Sequence, residues 1–220
     1  MSNKLIYWAG HRNFGDELSL YLVEKITGKK FIAADIDDVF EPGTLMAIGS
    51  MIEKRTFNKN VVIWGTGTLS ESSLAEAGKF RWFPVSHFFK NYKIWKKFSQ
   101  PMIRAVRGPR TWEMILNLGF DCPRIFGDPA ILMNEFYSPS VSIGYEAGVI
   151  LHHKQFFTQD LIRRLEGEGI RLISIIREGE VEIEKFIDEV CSCKKNIYLF
   201  FAWFDYCTNL WDTCSMDSIT

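Results

Sequence analysis

The chain has 220 residues, 47% hydrophobic and 24% charged, with a net charge of −1. This is globular composition with ample material for a core. No apolar run reaches the roughly 20 residues of a membrane-spanning helix, and the charge balance gives no general attraction to nucleic acid or an anionic membrane.

The N-terminal MSNKLIYWAG lacks the apolar core and cleavage pattern of a secretion signal. The five cysteines, Cys122, Cys191, Cys193, Cys207 and Cys214, form no CxxC pair and have no histidine at zinc-finger spacing. That spacing gives no expectation of a metal site, and an odd count without a secretion signal predicts reduced thiols in a cytoplasm.

In chain order, KLIYWA reads as a strand. DELSLYLVEKITG reads as a helix, with Leu18, Leu20, Leu22, Val23 and Ile26 on a broad apolar face and Gly28 as its stop. TLMAIGS and NVVIWGTGT are buried strands running into glycine turns. MIRAVRGPRTWEMILNLG is strand, turn and helix, and PRIFGDPAILM a short strand and loop. GVILHH opens a second series, followed by helix TQDLIRRLEGEG, strand IRLISII and helix VEIEKFIDEVCSC. Apolar strands alternating with helices predict parallel α/β layers. The Ser-, Gly- and Pro-containing stretch at residues 134–148 marks a domain boundary near residue 140.

Ligands of open parallel sheets bind beyond the carboxyl ends of the strands, and four segments place small or charged residues there. In HRNFGDEL, Asn13 and Gly15 suit a tight turn and Asp16 a helix N-cap. Taken alone the segment reads first as a plain turn plus cap, and second as a loop whose amides and Asn13 face a substrate. In AIGSM and WGTGT, Gly49, Ser50, Gly65 and Gly67 allow close backbone approach, by a ligand or by a packed helix. Neither segment is a P-loop. In IRAVRGPRTWE, Arg104, Arg107 and Arg110 crowd a strand end and a helix start, with Pro109 placed for the first helical position. Arginine forks beside helix amides make an anion site; the other reading is a solvated basic turn. His152 and His153 are adjacent on a strand and so face opposite ways, which makes them a poor metal pair; they read first as ordinary surface histidines, and second as a pair of which one faces a cleft. Asp128 reads as a ligand contact or a turn former.

Together NFGDELSLYLVEKITG, AIGSM, VVIWGTGT, RAVRGPRTWEMILNLGFDCP and GDPAIL, in that order, resemble the polysaccharide pyruvyl transferase family, closest to its bacterial exopolysaccharide branch. The resemblance covers most of residues 4 to 193. It implies two Rossmann-like domains arranged as in type B glycosyltransferases, with the site in the cleft between them: residues 1–140, and a partial second domain at residues 141–220 with an aberrant tail from about residue 198. It implies transfer of the enolpyruvyl group of phosphoenolpyruvate to a sugar of an exopolysaccharide or cell-wall glycan as a cyclic ketal. The acceptor glycan is free or lipid-linked, and no cofactor is needed beyond the donor substrate. Arg107, the arginine before Gly-Pro, becomes the catalytic candidate, paired with Arg110 for the donor's phosphate and carboxylate. Asn13, Gly15, Asp16, Gly49, Ser50, Gly65, Gly67, Asp128 and His152 become substrate-binding candidates. Two other classes stay open: a non-catalytic sugar- or anion-binding homologue, and a nucleotide-sugar glycosyltransferase, which rests on architecture alone.

The family carries, after a helix like EKFIDEVCSC, a Ser-Ser-Leu-His-Gly motif, then Leu-Ile-Ile-Ala and Tyr-Gly-Ile-Pro. Here that place holds YLFFAWFDYCTNLWDTCSM. Back-translated and read one nucleotide on, Trp203–Phe204 and Trp211–Asp212 each force glycine, eight positions apart, and Met216–Asp217 forces tryptophan. The intervening codons permit Ser-Ser-Leu-His-Gly-Leu-Ile-Ile-Ala, two residues, then Tyr-Gly-Ile-Pro-Ala. The expectation is a single frameshift near Ile197 to Leu199, with an early stop after Thr220; the alternative is a naturally divergent tail. The histidine, the family's general acid for protonating the donor's methylene carbon, has no counterpart, since Ala202 and Trp203 stand there. Loss of a positioned acid costs about 100- to 10,000-fold in rate.

Overall fold

The computed structural model describes residues 3–8, 10, 12–68, 100–151 and 157–198. The chain divides into two compact units, Met1–Ala9 with Leu22–Pro129, and Gly10–Tyr21 with Ala130–Thr220.

The first unit holds an all-parallel sheet of β1 (Lys4–Ile6), β2 (Ile32–Ala34), β3 (Thr44–Met46), β4 (Val61–Trp64) and β5 (Met102–Ala105). Its spatial order is β2-β1-β3-β4-β5. Thr44, Leu45 and Met46 lie opposite Val61, Val62 and Ile63 in parallel register, as parallel α/β layering requires. Every parallel neighbour needs a crossover; the central strands β3 and β4 are buried and mostly apolar. Ile6, Met46, Val61 and Ile63 form the core with Phe40, Ile52, Val106, Ile115 and Phe120. Helix α2 (Pro109–Asn117) covers part of it. Gly108 is its N-cap and Pro109 opens it, where proline's missing N–H costs nothing.

Strand β2 was not expected from the sequence. Among the described residues it is an edge strand paired only to β1, with Ile32 and Ala33 exposed, so FIAA shows no buried alternation. The short strand expected in PRIFGDPAILM is reduced to one parallel bridge, Val106 to Phe126. The chain then enters a 3-10 turn at Pro129–Glu135; Pro129, lacking an N–H, cannot extend a ladder.

The second unit holds a parallel sheet of β6 (Ala147–Leu151), β7 (Ile170–Ser174) and β8 (Asn196–Tyr198), in the order β7-β6-β8. Helix α3 (Gln159–Gly167) joins β6 to β7, and its N-cap Thr158 accepts from the Leu161 N–H. Helix α4 (Glu180–Cys191) joins β7 to β8. Its buried Ile183, Phe186, Ile187 and Val190 follow one helical face, and Glu180 and Glu182 suit its positive N-terminus.

Helix α1 (Phe14–Thr27) ends at Gly28, whose φ of +66° suits a glycine stop. Residues 12–14 lie beside the end of β7. Asn13 forms an antiparallel bridge with Ile176, and Phe14 stacks on Phe186 with ring centroids 4.1 Å apart.

Candidate functional site

In the first sheet the strand order reverses between β1 and β3, and such a switch point at the carboxyl edge is where open α/β sheets bind ligands. Gly49 and Ser50 follow β3, Gly65 to Gly67 follow β4, and Arg107 follows β5. These three strand ends are tied together by backbone and hydroxyl bonds. Gly67 N–H donates to the Gly49 carbonyl at 3.0 Å, Gly65 N–H to Ala105 at 2.9 Å, and Arg107 N–H to Thr66 at 3.1 Å. The buried Thr66 hydroxyl donates to the Gly49 carbonyl at 2.6 Å and accepts from Met51 N–H at 3.3 Å.

Arg107 lies across this clasp. Its Nε donates to Asp128 Oδ2 at 3.2 Å and its Nη1 to Ser50 Oγ at 2.8 Å. Asp128 is buried, while the Arg107 side chain keeps 25% exposure. Gly67 lies under the guanidinium: a Cβ there would sit 3.3 Å from Arg107 Cζ and Nε. Gly65, at φ +90°, is needed for a different reason, since a Cβ would run into the Pro129 ring and lie 2.7 Å from the Gly127 carbonyl oxygen.

This arrangement has chemical consequences. Asp128 offsets much of the Arg107 charge, so Arg107 is an oriented donor rather than a bare cation. Ser50 accepts from Arg107 and therefore keeps its own O–H to donate. The first-turn amides of α2 stand next to Arg107 in sequence, and Arg110 lies exposed on that turn. An oxyanion at this edge would meet a guanidinium and a hydroxyl.

Among the sequence candidates, Ser50, Gly67, Arg107 and Asp128 are therefore in contact or one contact apart. Gly49 and Gly65 serve packing and the backbone clasp. Asn13, Gly15 and Asp16 belong to the second unit. There Asn13, rather than Asp16, caps α1: its Oδ1 accepts from Gly15 N–H at 3.0 Å and Asp16 N–H at 3.1 Å. Asp16 sits in the first turn and accepts from the Asn13 amide. The helix starts earlier than DELSL suggests because Phe14 packs on Phe186 and draws the first turn with it. His152 lies outside the described residues. Thr66 was missed, although a hydroxyl residue between two glycines at a strand end was a readable sign.

Among the described residues no group of three His, Cys, Asp or Glu is placed to hold a metal ion, and no helix is long and apolar enough to cross a membrane. No protein-family model, curated protein or solved structure matches this chain.

Proposed function

We propose that the chain is a polysaccharide pyruvyl transferase of the bacterial exopolysaccharide kind, acting in the cytoplasm on phosphoenolpyruvate and a glycan acceptor. The ordered motif set carries this reading. It is supported by the meeting of three of those motifs, AIGSM, RAVRGPRTW and GDPA, in the Ser50–Arg107–Asp128 contact.

Pyruvyl transfer breaks the bond between C2 and the phosphate oxygen and forms two bonds from C2 to acceptor hydroxyls. One hydroxyl proton ends on the donor's methylene carbon and the other leaves with the phosphate. In this reading Arg107, with the Ser50 hydroxyl, holds the donor's anionic groups, and Arg110 supplies a second cation. The general acid is the histidine that the shifted reading frame restores beyond residue 198. The chain as it stands is then a donor-binding protein with little turnover.

The test pairs calorimetric binding of phosphoenolpyruvate to this chain with phosphate release by a chain whose frame is restored. Binding in the first and acceptor-dependent release in the second are expected. Binding without release in both favours a non-catalytic anion- or sugar-binding protein. Binding of a nucleotide sugar in place of phosphoenolpyruvate favours a glycosyltransferase.

A further inference from the structure

Arg12 has φ +47° and is the one non-glycine residue at positive φ among the described residues. Backbone in that region persists where its surroundings over-determine it, and Arg12 directly precedes the Asn13 cap. Residues 12–14 are held to residues 175–178 along the backbone and by an exposed pair between Arg12 Nη1 and Glu178 Oε2 at 3.0 Å, and through side chains to Arg177. Along the backbone, Arg177 N–H donates to the Arg12 carbonyl at 2.6 Å and Phe14 N–H donates to Ile175 at 2.8 Å, bracketing the Asn13–Ile176 bridge. Through side chains, the Arg177 guanidinium lies 5.4 Å over the Phe186 ring, and that ring stacks on Phe14.

Arg177 itself is held from the far side. It is 7% exposed, its Nη1 donates to Glu182 Oε2 at 3.1 Å, and its Nη2 donates to Glu189. Glu189 also pairs with Arg171 at 3.3 Å, and Arg171 Nη1 donates to Ser192 Oγ at 3.1 Å. A buried arginine shared by two carboxylates of one helix is fixed in direction.

We infer that Arg177 is a positioning residue for the Asn13–Asp16 turn, locking Arg12 in its strained conformation so that Asn13 and the first amides of α1 keep one orientation. Its functional consequence rests on the pyruvyl transferase reading, whose sequence resemblance makes Asn13, Gly15 and Asp16 substrate-binding candidates.

The test is amide hydrogen exchange on the full chain. With Arg177→Met, exchange at Phe14, Gly15 and Asp16 should rise at least tenfold while Ile63 in the first sheet is unchanged. Glu182→Gln removes one partner of Arg177 at a half-exposed carboxylate and should raise the same amides by a smaller factor. Arg164→Met, which loses only an exposed pair with Glu168, should leave them unchanged. Unchanged exchange at residues 14–16 in folded Arg177→Met overturns the inference. If that variant does not fold, unchanged exchange in Glu182→Gln overturns it.

Phosphoenolpyruvate binding separates the two claims. Arg177→Met should weaken binding as Asn13→Ala does, and the double variant should be no weaker than Asn13→Ala alone. Faster exchange with unaltered binding leaves the positioning role standing and sinks the substrate-facing reading of the turn.

Discussion

Arg107 and Asp128, 21 residues apart in sequence, meet at 3.2 Å between Nε and Oδ2. The pair joins the end of β5 to the loop before the 3-10 turn at Pro129–Glu135. Removing a buried carboxylate leaves its arginine uncompensated. Arg107 is a quarter exposed, so water recovers part of that loss. Asp128→Ala should cost about 1–3 kcal/mol in chemical denaturation. Asp128→Asn, which keeps an acceptor oxygen, should cost less, and both should change the affinity for anions through the orientation of Arg107.

The two glycines after β4 should respond differently to alanine. At Gly65 a side chain meets a positive φ, a proline ring and a carbonyl oxygen together, so Gly65→Ala should cost about 2–5 kcal/mol. At Gly67 the obstacle is the movable end of Arg107, and the cost should be about 1 kcal/mol. Gly67→Ala should nevertheless weaken anion binding more than its stability loss suggests, because it displaces the guanidinium. Urea unfolding beside a phosphate or phosphoenolpyruvate titration measures both.

Glu17 is buried, and burial pushes its carboxyl above the ordinary range, against the Gly179 N–H that it accepts. A raised pKa means a contribution to stability that is present below the unfolded value and lost as pH rises through the folded one. At neutral pH the buried charge is therefore a cost. Glu17→Gln keeps an acceptor for Gly179 and should unfold at a higher temperature than the parent at pH 7, with the difference closing towards pH 4. Glu17→Ala, which strands the N–H, should unfold at a lower temperature than Glu17→Gln throughout.

Two phenols donate to carboxylates one turn apart on α4: Tyr21 to Glu184 at 2.8 Å and Tyr137 to Asp188 at 2.7 Å. Burial first, then the carboxylate, pushes Tyr137 up to about 12 and raises Tyr21 as well. Stability from these groups is full below their ordinary pKa of about 10 and is lost as pH climbs through the raised values. Parent protein should weaken between about pH 10 and 12. Tyr137→Phe should start about 1 kcal/mol lower and fall less steeply, as followed by thermal unfolding against pH.

The parallel sheets were readable because VVIW, GVIL and IRLIS are short apolar runs between amphipathic helices, and the α4 face at Ile183, Phe186, Ile187 and Val190 carries its period in the open. Edge strand β2 was not, since two of its three residues face solvent. Asn13 and Asp16 are both good caps, and long-range contacts decide between them: the Phe14–Phe186 stack and the backbone bonds of residues 12–14 to residues 175–177. The Ser50–Arg107–Asp128 contact was legible as three separate suspects. Arg177 left no local sign: its partners Glu182 and Glu189 come from the next helix, and its burial depends on Phe186 beneath it. The aromatic tail beyond Tyr198 lies outside the described residues, so the frameshift reading rests on codons and is checked by sequencing the coding DNA.

The most direct measurement is acceptor-dependent release of inorganic phosphate from phosphoenolpyruvate by the chain with its frame restored after about residue 197, beside the same chain carrying Arg107→Met. Release with formation of a pyruvate ketal is expected, at least 100-fold faster than in the unrestored chain and lost in Arg107→Met. No release from the folded, restored chain across a panel of sugar acceptors, with no binding of phosphoenolpyruvate, would contradict the assignment.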